Sequence, residues 1–575
     1  MKEKLENLIK EALKNLGVED CDFVIEHPDD LKNGDYSTNV AMVCAKEQKT
    51  NPKELAEKIK IELEKDLPKE IEKIEVAGAG FINFYLSREF FVDSVKEILK
   101  LKEDWGKNNL SEGKKVMVEY TDPNPFKPFH IGHLMTNAIG ESISRIFEFS
   151  GAGVIRANYQ GDVGPHVAKA IYGIMWLVPN EESRTKMATI EPASDLALWI
   201  GECYAKGAKV YEEDPSVKIQ IDEINKKIYD RSDHEINKIY DWGREVTLKA
   251  FEEIYKILGT HFNYYFFESV MAPIGEKIVR ENVGAVFNES DGAIVFHGEN
   301  YDPKLHTRVF INSKGLPTYE TKEIGLTITK FEKANPDTSI VVTAIEQAEY
   351  MKVVAKAISL IHPDYEKRME HITHGMMKFS SGKMSSRKGN VITGESLIRD
   401  SMSLVHEKVA ERELTTNEKD SIAQVVGVGA VKYSILKSSL GSDIVYDFEK
   451  SISFDGDSGP YLQYTAVRAN ALLKKAESEG LSAGYKDIPT DITNLEHLLY
   501  QFPEVVAHSY ELLEPHHIAT YLTELASAFN TFYGDTLIVN KNDKHAPYRV
   551  ALVEAFYQTM KNGLWLLGIE TPEKM

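Results

Sequence analysis

The chain has 575 residues, too many for one hydrophobic core, and at roughly 150 residues per domain about four domains or sub-domains are expected. A composition of 42% hydrophobic and 27% charged residues excludes a disordered or fibrous chain. The formal net charge of -21 excludes a globally basic nucleic-acid coat protein, although a local basic patch on an acidic body can still hold phosphates.

The segment 1–110 opens with an amphipathic helix, in which Leu5, Leu8, Ile9, Ala12, Leu13 and Leu16 recur at helical spacing between Lys and Glu. It lacks the uninterrupted apolar stretch of a secretory signal. No run of about 18 apolar residues occurs anywhere, so no transmembrane helix is expected. Asn33-Gly34-Asp35 marks a turn, and Asn51-Pro52 precedes a second helix over 53–64. Strands are predicted at 74–76 and 81–86 and another helix over 89–101, which makes a small α+β domain. Cys21, Cys44 and Cys203 are the only cysteines. They are widely spaced, so neither a disulfide framework nor a cysteine-rich zinc site is expected, and a reducing compartment is.

The segment 111–395 has α/β character. A β-branched run over 116–120, a Pro-rich loop, a helix over 133–150 and a strand over 154–159 form one βαβ unit. Residues 180–260 are charged and helical in pattern, an insertion between the halves of a sheet domain. A β-meander over 284–320 follows, and the run 340–344 restarts the α/β pattern. The segment 396–575 is nearly all helical in pattern, with apolar residues three and four apart over 462–473, 515–532 and 548–567, and predicts a helical bundle.

Two stretches carry chemistry. Asp122-Pro-Asn124-Pro-Phe-Lys127-Pro-Phe-His130-Ile-Gly132-His133 lies between a strand and a helix, where a parallel sheet presents its ligand crevice. Imidazole donors at a helix start can hold a triphosphate and follow its shifting charge. Gly132 leaves no side chain between them, so a flat base can approach the backbone. A zinc reading of the two histidines lacks a third ligand. The second stretch, 378–390, holds Lys378, Lys383, Arg387 and Lys388 and no acid. In so acidic a chain, an uncompensated basic Gly/Ser loop points to a phosphate-rich ligand. It is not a P-loop: six residues separate Gly375 from Gly382-Lys383 where four are required, and Met384 stands where Ser or Thr would coordinate Mg²⁺.

Together, His130-Ile-Gly-His133 and Lys383-Met-Ser-Ser386 resemble the two signatures of class I aminoacyl-tRNA synthetases. The flanks resemble the arginyl-tRNA synthetase family: Glu119 to Asn124, Tyr319 to Glu323, Glu346-Gln347, His374-Gly-Met-Met, Asp455 to Tyr464, and the C-terminal stretch ending at Met575. Asn33 to Asn39 and Gly80 to Asn83 resemble that family's additional N-terminal domain.

The resemblance implies a Rossmann-like α/β catalytic domain over 111–395, an N-terminal α+β domain over 1–110 that touches the tRNA elbow, and a helical anticodon-binding domain over 396–575. It implies that arginine attacks the α-phosphate of ATP, releasing pyrophosphate, and that arginyl-adenylate then passes its acyl group to the tRNA 3′ end. His130, Gly132, His133, Met384 and Ser385 would bind ATP, with His130, His133, Lys383 and Lys388 catalytic. The class I loop carries Lys where this chain has Ser386, so Lys388 or Arg387 would supply the second cation. Mg²⁺ would arrive with ATP, held mainly by phosphates and water. No protein-bound metal is expected.

A guanidinium is planar and always charged, so its pocket needs carboxylates. The resemblance places Glu119, Tyr319 and Glu323 around it, and Asn124 and Gln347 near the α-amino group. The family commonly carries Asp where this chain has Glu323. Tyr461, Tyr464 and Met575 would lie by the tRNA anticodon. A cytoplasmic monomer with no membrane partner is expected. Three rival readings fit the sequence less well. The cysteine enzyme needs a zinc site, a non-catalytic paralogue would not need two competent signatures, and a general nucleotidylyltransferase would not need the C-terminal bundle.

Overall fold

The computed structural model describes residues 1–18, 21–178, 193–380 and 392–575. These residues form two compact units, each assembled from separate stretches of chain. One comprises Met1–Lys107, Thr465–His508 and Tyr521–Gly563; the other comprises Asn108–Tyr464, Ser509–Thr520 and Leu564–Met575.

The first unit holds the predicted α+β fold. Helices Lys2–Asn15, Pro52–Leu63 and Arg88–Leu101 appear where the apolar spacing puts them. Asn51 and Ser87 cap the second and third, accepting from the first free backbone N–H groups. The strands Ile71–Ala77 and Phe81–Leu86 are extended by two short ones, Ile25–Glu26 and Tyr36–Thr38, in an antiparallel sheet. Two or three residues are too few for a readable period, and the nine-residue helix Val40–Gln48 has no marked apolar face, so the sequence pattern does not disclose these elements. Gly34, at φ 91°, makes the expected turn, and a side chain there would meet the Phe84 carbonyl at 2.6 Å. The cysteine reading needs correction. Folding brings Cys21 and Cys44, 23 residues apart, into a disulfide, while Cys203 is free and buried.

The second unit is built on a five-stranded parallel sheet: β1 (Lys115–Glu119), β2 (Gly153–Gln160), β3 (Tyr264–Phe267), β4 (Thr338–Ala344) and β5 (Met369–His374). The spatial order is β3-β2-β1-β4-β5. The direction of winding therefore reverses between β1 and β4, and the crevice at their carboxyl ends is the natural ligand site. Three helices face that crevice: α1 (Ile131–Phe149), α2 (Glu268–Glu281) and α3 (Tyr319–Ala334). α1 starts two residues earlier than its apolar pattern, because His130 takes the N-cap position in extended conformation.

The described part of the insertion is three helices, Ala193–Glu213, Pro215–Asp230 and His234–Leu258. The meander is an antiparallel sheet of Asn288–Ser290, Ala293–His297 and Thr307–Ile311. Beyond residue 393 the chain is helical apart from Ile444–Tyr446, which pairs in parallel with Met377–Phe379. Among the described residues no helix is long and apolar enough to cross a membrane.

Candidate active site

A cavity of ≈ 460 Å³ opens at the β1–β4 reversal. Its wall begins with the loop after β1. Thr121, Asp122 and Phe126 in this loop take positive φ of 77°, 45° and 67°, a costly conformation for residues with side chains. Buried contacts hold it. The Tyr159 N–H donates to Asp122 Oδ1 at 2.6 Å, the Asn137 amide donates to Thr121 Oγ1 at 3.0 Å, and Phe126 is sealed in the core. Asn124 lines the cavity, and its side chain lies where Gly161 lacks a Cβ.

The loop delivers His130 and His133 to the start of α1. Their rings stack at 3.5 Å, and the His130 N–H donates to His133 Nδ1 at 3.3 Å. With Nδ1 accepting, the His133 proton sits on Nε2, leaving a neutral donor. Burial pushes the His130 imidazole down to about 4, helped by nearby Lys127, and burial, with His130 and Lys127 beside it, also holds His133 well below its ordinary value. Gly132 has a second reason to be glycine: a Cβ would stand 3.1 Å from the His130 ring. Lys127, which lines the same wall, is the described cation nearest in sequence to the pair.

The opposite wall is acidic. Glu119 closes β1 and is buried, with Lys330 of α3 donating to it at 2.9 Å. Glu268, at the start of α2, accepts from Lys322 at 2.6 Å, and Glu320 pairs with Arg308 at 3.6 Å. Glu323 is different. It lines the cavity, and its carboxyl makes no hydrogen bond or ion pair among the described residues. Burial first, and the Glu119 charge second, push its carboxyl up to about 8 against the pull of Lys330. Asp122 is likewise raised, by burial and by Glu119. Tyr319 is exposed at the cavity mouth, and Gln347 accepts from the Tyr350 hydroxyl at 3.3 Å.

The cavity thus brings together Glu119, Asn124, His130, Gly132, His133, Tyr319, Glu323 and Gln347 from three stretches of chain, 119–133, 319–323 and 347. Lys383, Met384, Ser385 and Lys388 lie outside the described residues. Tyr461, Tyr464 and Met575 are elsewhere in the same unit: Tyr464 meets the Phe454 ring at 6.0 Å, and both Phe454 and Met575 pack against the cluster containing Val405, Val409 and Ile422. Sequence reasoning missed Lys330 and Lys322. The available signal was their place in α3, where Tyr319, Glu323 and Lys330 stand at i, i+4 and i+11, within about 40° of one helical face. Among the described residues no group of three or more His, Cys, Asp or Glu is placed to hold a metal ion.

Residues 94–448 match the family described as tRNA synthetases class I (R), catalytic domain; 3–86 match the arginyl tRNA synthetase N terminal domain, and 462–575 the DALR anticodon binding domain. The arginine–tRNA ligase of Halothermothrix orenii is 31% identical over 585 residues, covering 100% of this chain and 99% of its own. That of Clostridium perfringens is 31% identical over 583 residues, covering 99% of each. The solved structure of Thermus thermophilus arginyl-tRNA synthetase shares the fold, with a TM-score of 0.80, 24% identity and 100% of each chain covered. A relative this similar along the whole chain, on a sheet wound about an acid-walled cavity, decides the matter: the chain belongs to the arginyl-tRNA synthetases, class I ligases that charge tRNA with arginine through an ATP-derived adenylate.

Proposed function

We propose that this chain performs its family's reaction with the cavity residues in the following roles. Glu323, with Glu119 and Tyr319, takes the guanidinium of arginine; Asn124 and Gln347 hold the α-amino group. His130 and His133 act as neutral N–H donors to the ATP phosphates, and Gly132 keeps their rings clear. Lys383 and Lys388, with Met384 and Ser385, complete the nucleotide site and draw off charge as pyrophosphate leaves. The arginine carboxylate attacks the α-phosphorus and the bond to the bridging oxygen of pyrophosphate breaks. A ribose hydroxyl at the tRNA 3′ end then attacks the acyl carbon, and AMP departs. Neither step needs a covalent contribution from protein, only alignment and charge neutralisation. Mg²⁺ enters on the ATP phosphates. Tyr461, Tyr464 and Met575 read the anticodon within a functional division of 1–110, 111–395 and 396–575, and the protein works as a cytoplasmic monomer.

The observation that carries the arginine pocket is the lone Glu323. Each other glutamate on the cavity wall has a resident cation, while this one has none and holds a proton that a guanidinium can replace. A buried polar site of this kind rejects neutral analogues that leave its groups unpaired. ATP–pyrophosphate exchange with each of the twenty amino acids, with and without tRNA, tests the reading. Exchange with arginine alone is expected; exchange with another amino acid, or none from folded protein, removes it.

A further inference from the structure

The charge of the arginine pocket is set partly from behind its lining. Lys330 is 1% exposed and Glu119 2% exposed, and their 2.9 Å contact uses Oε2 of Glu119. Lys330 does not line the cavity; Glu119 does. Seven residues before Lys330, on the same face of α3, Glu323 lines the cavity with no partner. On Glu323's own helix, Glu320 also bears on it and is held by Arg308, while Lys322 next to it is held by Glu268. Facing from other elements are Asp122 in the loop after β1 and Glu268 at the start of α2, the latter held by Lys322. The phenols of Tyr159 on β2 and Tyr350 complete the surroundings.

We propose that Lys330 is a specificity-determining positioning residue of the arginine pocket: by holding one oxygen of Glu119 and offsetting part of its charge, it leaves Glu323 as the one glutamate of the lining without a resident cation and sets the pocket for one ligand cation. The inference rests on the arginine reading above. Without Lys330, buried Glu119 and half-buried Glu323 would face each other with no cation between them, and two such neighbouring carboxylates resist ionising together. The pair would take up a proton that arginine must then expel. A lysine that merely filled space would have no such effect.

The test is the Michaelis constant for arginine in ATP–pyrophosphate exchange with tRNA present, measured on the full chain from about pH 6 to pH 9. In K330M the fall of this constant with rising pH is expected to move up by about one pH unit or more, raising it roughly tenfold at neutral pH. Turnover at saturating arginine should change by less than about threefold, because Lys330 touches neither substrate. K330R keeps the charge and should keep the wild-type profile. A K330M profile superimposed on the wild type overturns the proposal. Should K330M fail to fold, E119Q leaves Lys330 uncompensated beside Glu323 and must move the profile to lower pH; an unmoved profile is equally fatal. E323Q separates the two levels. If it leaves the arginine constant unchanged, the pocket reading and the role of Lys330 fall together. If it raises the constant while K330M changes nothing, only the role of Lys330 falls.

Discussion

Glu323 holds a proton near neutrality because burial and the neighbouring Glu119 charge raise its carboxyl to about 8. A guanidinium binds the carboxylate, so below that pH arginine must displace the proton. The Michaelis constant for arginine is therefore expected to fall about tenfold per pH unit up to roughly pH 8 and to level off above it. A profile flat from pH 6 to 9 would contradict the assignment. Stability follows the same linkage. A carboxyl raised from 4.5 contributes stability in full below that value and loses it as pH rises through about 8. Arginine should accordingly raise the melting temperature more at pH 8 than at pH 6. His133 belongs to the other half of the reaction. Removing its Nε2 donor in His133→Ala should slow adenylate formation by roughly 10²–10³-fold with the circular dichroism spectrum unchanged; undiminished adenylation would strip it of its role. The place of both histidines at a helix start was legible from the strand, loop and helix pattern, whereas their role came from the resemblance of the two signatures taken together. The pairing of Glu119 with Lys330 was not, since 211 residues separate the partners.

At the level of elements, the acidic wall depends on how closely α2 and α3 approach. Gly275 and Gly325 make the contact: a Cβ on Gly325 would meet the Gly275 nitrogen at 2.7 Å, and one on Gly275 would strike the Thr321 carbonyl. These two helices carry Glu268, Lys322, Glu323 and Lys330. Gly325→Ala should cost about 1–3 kcal/mol in urea unfolding through overpacking. It should also raise the Michaelis constant for arginine by spreading the wall, an effect that a purely local strain would not produce. α3 shows what periodicity can and cannot tell. Its buried residues run almost all round, including Lys322, Thr327, Thr329 and Lys330, because it is covered on several sides. Such a helix has no polar face from which its direction in the fold can be read.

In the whole molecule, the unit containing residues 1–107 is completed by chain from beyond residue 464. Glu504 accepts from the Tyr36 hydroxyl at 2.7 Å and contacts His27 Nε2 at 3.0 Å, while His497 meets Asp35 at 2.7 Å and Arg88 meets Glu496 at 2.5 Å. Tyr500 enters the apolar core of Leu5, Ile9, Tyr36 and Phe84. Against the burial that favours its neutral form, hydrogen bonds from His27 and Tyr36 hold the Glu504 carboxyl down at about 2. Its contribution to stability is present above 4.5 and lost as pH falls through about 2. Glu504→Gln should cost about 1–3 kcal/mol at neutral pH, with the gap to wild type closing in acid; an equal gap at both extremes would deny the carboxylate its part.

The sequence by itself determined the longer local elements and the two histidines at a helix start, because these depend on spacing within a few dozen residues, and it pointed to the family through motifs distributed along the chain. Only the tertiary structure decided which acids are already neutralised. It set Lys330 on Glu119 and Lys322 on Glu268, left the Glu323 carboxyl without a cation, joined Cys21 to Cys44, and folded residues 1–107 into one unit with chain from beyond residue 464. The physical reason is common to all of these. Charge compensation and burial are properties of neighbours in space, and these neighbours are distant in sequence.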